Sequence, residues 1–207
     1  MRVAVVGAAG QVGQLVVAGL VAEGHHVVGL VRRDEQAALV SGLGATPVLG
    51  DLEGDLGGVF AGVEGVVFAA GAAFGGDPGR IDRDACIAAQ RAAEAAGVTR
   101  WVQVSSLLAD RAQMGPPFLF AFLSAKHASD LALAETGLAW TVVRPGGLQD
   151  APGTGLVEAG HGLPSGVLPR ADVAAAVVAT LGADNTLGMA YDLVGGSTPV
   201  AEAIAAL

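Results

Sequence analysis

Four apolar residues, Val3-Ala4-Val5-Val6, run directly into Gly7-Ala8-Ala9-Gly10-Gln11-Val12-Gly13, and this junction restricts the fold more than any other stretch of the chain. It reads as a strand that breaks into a glycine-rich turn, and the turn opens a helix. The first N–H groups of such a helix lack intrahelical partners, and the helix dipole places partial positive charge there. A diphosphate is the natural occupant of that end. Gly7 allows the tight turn, Gly10 removes a side chain so that phosphates can approach, and Gly13 lets the helix pack close on the strand. Ala9, Gln11 and Val12 complete the turn's backbone. The spacing is G-x-x-G-x-x-G rather than G-x-G-x-x-G. In a chain with 32 glycines the pattern gains its meaning from the strand–turn–helix setting. The alternative is an ordinary strand-to-helix turn in a parallel sheet.

The same alternation continues to the other end. Val3–Val6, Val27–Val31, Thr46–Leu49, Val66–Ala69, Trp101–Val104 and Thr141–Val143 read as strands. They are too continuously apolar to face water on one side, so burial on both faces of a parallel sheet is expected. Gln11–Glu23, Asp34–Gly42, Arg80–Ala96 and Leu119–Thr136 read as helices, with Gly24, Gly97 and Gly137 placed as C-terminal caps. Repeated strand–helix units of this kind predict an α/β fold, a doubly wound parallel sheet with right-handed crossovers, Rossmann-like. After Pro145 the texture changes. Residues 146–169 are rich in glycine and proline and predict loops with one or two short strands. Ala171–Leu181 reads as a helix whose start Arg170 and Asp172 help to position, Met189–Val194 as a late strand, and Pro199–Leu207 as a terminal helix. We expect one domain over residues 1–207, with 146–207 contributing a small, loop-rich substrate-side lobe over the carboxyl ends of the strands.

Formal net charge is −9, and no basic patch is interleaved with aromatic residues, which excludes nucleic acid as a main partner. No apolar stretch approaches the roughly 20 residues that span a bilayer. The apolar start is a strand leading into the turn rather than a secretory leader. The single cysteine, Cys86, forbids an internal disulfide and fits a reducing compartment, so a cytoplasmic protein is expected. Cys86 reads as a buried packing residue. His25, His26, His127 and His161 show no metal-ligand spacing, and no metal is expected. The expected partner is a small-molecule substrate, with the chain a monomer or homodimer.

The second strand discriminates between nicotinamide cofactors. A site for NAD usually carries an acid near the end of that strand. Here Val28-Gly29-Leu30-Val31 is followed by Arg32-Arg33. Two forked, permanently charged donors suit a 2′-phosphate, so NADP(H) is the preferred cofactor and NAD(H) the alternative. Solvated surface charges are the competing reading of both arginines. Asp34 sits well to cap the next helix. Asp51, at the end of the third strand, is placed to accept from an adenine amino group, with Leu52 against the ring. Ala70 and Gly71 end the fourth strand with small side chains that let a cofactor lie close.

These residues, together with Val104-Ser105-Ser106, Ala125-Lys126, Thr141-Val142-Val143-Arg144-Pro145-Gly146 and Arg170-Ala171-Asp172-Val173-Ala174, resemble a known family. The chain is similar to the atypical short-chain dehydrogenases/reductases, in the small NAD(P)H-binding group that includes NmrA-like proteins and the biliverdin reductase B/flavin reductase type. The resemblance covers nearly the whole chain and does not specify a reaction. It implies that Lys126 bonds the nicotinamide ribose and that Pro145 and Gly146 contact the cofactor. It also implies a tyrosine acid four residues before the lysine, on the same helix face. That position is Phe122, which has no proton to give, and the only tyrosine, Tyr191, lies in the late strand. Ser105 and Ser106 are candidates to polarise a substrate carbonyl, with turn capping as the alternative.

The leading expectation is an NADP(H)-dependent oxidoreductase on a small organic substrate, in particular a flavin or quinone that needs little protein acid. Phe118, Phe120, Phe122, Met114 and residues 147–168 would line its apolar pocket. A non-catalytic NADP(H) sensor and a nucleotide-sugar epimerase or dehydratase are the alternatives.

Overall fold

The computed structural model describes residues 1–72 and 75–207. Its first half alternates β1 (Arg2–Val6), α1 (Gln11–Ala22), β2 (His26–Val31), α2 (Asp34–Gly42) and β3 (Thr46–Leu49). The chain then passes through α3 (Gly57–Phe60), β4 (Gly65–Phe68), α4 (Cys86–Ala95), β5 (Arg100–Val104), α5 (Phe120–Ala134) and β6 (Ala139–Pro145). It closes with β7 (Gly147–Gln149), β8 (Leu156–Gly160), β9 (Val167–Pro169), α6 (Arg170–Leu181), β10 (Met189–Gly195), β11 (Thr198–Pro199) and α7 (Val200–Ala205). Nine strands form one sheet in the order β11-β8-β10-β6-β5-β4-β1-β2-β3. From β10 to β3 all neighbours are parallel, while β8 runs antiparallel to β10 and β11. The doubly wound parallel sheet read from the sequence is the one observed.

Each inner strand feeds two cores, which is why its residues are apolar without alternation. In β1, Val3 and Val5 join Val16, Val17 and Leu20 of α1 and Val173 and Val177 of α6. Ala4 and Val6 face the opposite side, with Phe60 of α3, Cys86 and Ala89 of α4 and Leu133 of α5. The chain winds outward from β1 to β3, then re-enters on the other side of β1 as β4. That reversal opens a crevice at the carboxyl ends of β1 and β4, where open α/β sheets bind ligands.

Several local expectations change. Residues 146–169 hold three strands, and one of them, β8, extends the main sheet, while β7 and β9 pair as a small parallel ribbon. Their short, half-exposed segments carry little apolar signal. The helix read over Arg80–Ala96 begins as a π-helical turn, Gly79–Ala85, before α4. A 3₁₀ turn, Pro117–Leu119, precedes α5. The short α3 was not legible, although it buries Val59 and Phe60. Arg33, not Asp34, is the N-cap of α2, and Asp34 and Glu35 fall in its first turn, where acids complement the dipole. Gly24 and Gly97 end α1 and α4 with positive φ, whereas Gly137 instead donates its N–H to Glu94. Asp172 does not cap its own helix. Its buried carboxylate accepts from the N–H groups of Thr154 and Gly155 and fixes the entry to β8. Among the described residues, no helix is long and apolar enough to cross a membrane.

Candidate functional site

The glycine turn closes onto backbone on two sides. Gly7 has φ of +87°, and a Cβ there would stand 2.7 Å from the Ala70 nitrogen, where the chain leaves β4. A Cβ on Gly13 would lie 2.0 Å from the Gly7 carbonyl oxygen. Gly13 is therefore required by the turn itself rather than by packing on the body of the strand. The Gly10 N–H donates to the Gly7 carbonyl at 2.9 Å, and Gln14 fastens the loop by donating its side-chain amide to the Ala9 carbonyl at 2.9 Å. Gly10 is the N-cap of α1, no side chain caps this end, and its first turn holds no acid. The leading N–H groups keep their partial positive charge for whatever lies before them.

A cleft of about 490 Å³ opens in front of this turn. Gly7, Ala9, Gly10, Arg32, Asp51, Leu52, Ala70 and Gly71, all named from the sequence, line it together. Gln11, Val12 and Gly13 form the start of α1 beside it, and Arg33 is exposed and outside the lining. Pro145 and Gly146 also stand outside it. The Pro145 carbonyl accepts from Leu107 N–H at 2.8 Å and Gly146 N–H donates to Leu193 at 2.9 Å, so the pair braces the loops after β5 and β6. The cleft thus offers N–H donors at the turn, an apolar wall at Leu30 and Leu52, and a guanidinium at Arg32.

Across the mouth, Arg80 from the π-helical turn forms a bidentate pair with Glu53 from the loop after β3. The hydrogen bonds from Arg80 hold the Glu53 carboxyl below its ordinary range. The Arg32 backbone N–H donates to the Gln36 side chain at 2.9 Å, which ties the end of β2 to α2. One Asp51 oxygen accepts from Glu53 N–H at 3.0 Å.

Lys126 lies behind the floor of the cleft. Its ammonium is 3.0 Å from Asp82 Oδ1, 3.1 Å from the Val104 carbonyl and 3.5 Å from the Ala70 carbonyl. Phe122, one turn earlier on α5, places its ring centroid 5.9 Å from the same nitrogen. The hydroxyl of Tyr191 is buried 2.6 Å from Thr180 Oγ1, in the opposite core, so it does not replace Phe122. Ser105 turns inward and donates to Asp130 Oδ2 at 2.9 Å. Burial pushes the Asp130 carboxyl up, opposed by the Arg144 guanidinium and by hydrogen bonds from Ser105, Gln103 and Arg144. Ser106, half-buried, is the hydroxyl left at the end of β5. Burial raises Cys86 to about 12, which makes it a packing thiol. Met114 and Phe118, between β5 and α5, and Phe120, the first residue of α5, are each exposed, and none of them lines the cleft.

Asp82, Gln36, Glu53 and Arg80 were missed by sequence reading. Asp82 did leave a signal. The buried positions from the π-helical turn through α4 are Asp82, Ala85, Cys86, Ala89, Gln90 and Ala93, a helical face on which a carboxylate needs a partner.

Comparisons with known proteins agree with this geometry. A family model described as NAD(P)H-binding matches residues 7–184. YhfK of Bacillus subtilis (strain 168), named an uncharacterised sugar epimerase, is 38% identical over 213 residues, 99% of each chain. A structure from Bacillus halodurans, provisionally described as an NAD-dependent epimerase/dehydratase, is 33% identical with a TM-score of 0.96 and is covered, like this chain, over 100% of its length. ChuY, an anaerobillin reductase of Escherichia coli O157:H7, shares the fold with a TM-score of 0.82 at 24% identity, over 94% of this chain and 97% of that one.

Proposed function

The chain belongs to the NAD(P)H-binding family, as an atypical short-chain dehydrogenase/reductase-like protein, and from that premise we propose an NADP(H)-dependent oxidoreductase acting on a flavin- or quinone-like acceptor. The observation that carries the proposal is the gathering of an uncapped helix N-terminus, Arg32, Asp51 and Leu52 around one cleft. A dinucleotide fits this donor set. Its diphosphate suits the turn at Gly7 and Gly10, its adenine suits Asp51 and Leu52, and a 2′-phosphate suits Arg32. When bound, the reduced nicotinamide supplies the hydride.

The chain's own contribution is positioning. Phe122 cannot deliver a proton. A flavin or quinone collects its proton from water, so turnover of such an acceptor does not require an acid at this position. The exposed Met114, Phe118 and Phe120 suit a flat apolar acceptor. The names of two relatives point to epimerase chemistry, which must take a proton from a hydroxyl, and Phe122 speaks against that in this chain. A second reading, a non-catalytic NADP(H) sensor, is favoured by the same residue. The proposal includes a cytoplasmic protein working as monomer or homodimer with a small-molecule partner, without nucleic acid or membrane. The buried Cys86 fits that compartment.

The test is NADPH oxidation with a panel of flavins and quinones. Turnover with at least one acceptor is expected, and Phe122→Tyr should change it by no more than about threefold, where a required acid contributes roughly 10²–10⁴-fold. Tight cofactor binding without turnover across the panel would favour the sensor instead.

A further inference from the structure

Resting on the cofactor reading above, we infer that Asp82 is a positioning residue that fixes Lys126 to the floor of the cleft and balances the lysine's charge there. One carboxylate oxygen lies 3.0 Å from the Lys126 ammonium, and the other accepts from the Ala72 N–H at 3.0 Å. Asp82 is fully buried and Lys126 nearly so. The same aspartate therefore sets both the lysine and the backbone Ala70–Ala72 that forms the floor. Gly71 makes the contact close. A Cβ on it would stand 3.0 Å from Asp82 Oδ1 and 3.8 Å from Lys126 Nζ, so the backbone of Gly71, which lines the cleft, runs directly against the pair. The pair lies at the carboxyl ends of β4 and β5, between the Ala70 and Val104 carbonyls, on the opposite side of β1 from Arg32. A dinucleotide laid across the crevice with its 2′-phosphate at Arg32 puts its nicotinamide half on this side.

The consequence is electrostatic. The oxidised nicotinamide ring carries a positive charge and the reduced ring carries none. A lone ammonium under the floor would repel the oxidised form alone, and in a partly dehydrated site such a charge is worth about tenfold in affinity. With Asp82 ionised beside it, the pair is close to neutral, and both oxidation states meet a similar field. Lys126 also donates to the Val104 and Ala70 carbonyls and stands 3.0 Å from Asp82 as an ion pair, so it meets any ligand as one member of a pair.

Binding of NADP+ and NADPH to parent, Asp82→Asn, Lys126→Met and the double variant tests this, read as the ratio of the two dissociation constants. Asp82→Asn is expected to weaken NADP+ about tenfold more than NADPH, and Lys126→Met to move the ratio the opposite way. A purely structural role would weaken both forms together and leave the ratio unmoved, which overturns the inference. The double variant buries no charge and should return to within about threefold of the parental ratio. If one single variant does not fold, the other decides: a ratio displaced in the direction given supports the inference and an unmoved ratio overturns it. Failure of the parent to bind either form would instead overturn the cofactor reading, and the inference with it.

Discussion

Gly13→Ala is expected to lower the midpoint of thermal unfolding by roughly 10 °C and to weaken cofactor binding by about 100-fold or more. The added Cβ would sit 2.0 Å from the Gly7 carbonyl oxygen and 2.8 Å from its carbon. Both are backbone, so no rotamer change relieves the clash, and either the turn or α1 must shift. The turn has little room to yield outward, because the space one side-chain carbon beyond Gly7 is already filled by the backbone of Ala69 and Ala70 as they leave β4. A shift of α1 would disturb its contacts with α6 and misdirect the N–H groups at its start. Gly42→Ala is the control. Gly42 ends α2, and a Cβ there meets nothing within 4 Å. This substitution should be neutral or stabilise by up to about 1 kcal/mol, since it restricts the unfolded chain. Thermal melts and cofactor titrations on the two variants separate the clash from the mere loss of a glycine.

Arg32→Ala should weaken NADPH binding by roughly 10- to 100-fold while leaving NADH nearly unchanged, because a charge-assisted hydrogen bond to phosphate is lost only with the 2′-phosphorylated cofactor. Arg33→Ala should change either by less than about threefold, since an exposed charge away from the ligand is screened. The distinction is structural. Arg32 lines the cleft, while Arg33 is the N-cap of α2 and stands outside it. Glu53, which would otherwise present a free carboxylate near Arg32, is held by Arg80. Equal losses in the two single variants would mean that both guanidiniums hold the 2′-phosphate, and no loss in either would place it elsewhere.

The parts of this molecule that were legible in the sequence are those set by local chemistry. The turn at Gly7–Gly13 announces itself through consecutive residues, and the unbroken apolar runs of β1, β2 and β4 follow from burial on both faces. Arg32, Asp51 and Leu52 were legible because each lies within a few residues of a strand whose end the fold brings to the crevice. What escaped depends on contacts between distant elements. Asp82 gains its meaning from Lys126, 44 positions later, and from a π-helical turn that no propensity announces. Glu53 and Arg80 meet only once the loop after β3 and the π-helical turn before α4 come together. Ser105 was legible as a strand-end hydroxyl, but its direction is inward to Asp130 on α5, a carboxylate shared with Gln103 of the same strand and Arg144 of β6. Residues 156–160 form a strand because an edge of the sheet accepts them, although their alternation is faint.

Calorimetric titration of the purified protein with NADPH and with NADH tests the central claim most directly. Saturable binding with NADPH at least about tenfold tighter than NADH is the expected result. Heat from neither cofactor in a sample that is folded by its melting transition would contradict it, and would leave the glycine turn as a structural element or as the site of another phosphate-bearing ligand.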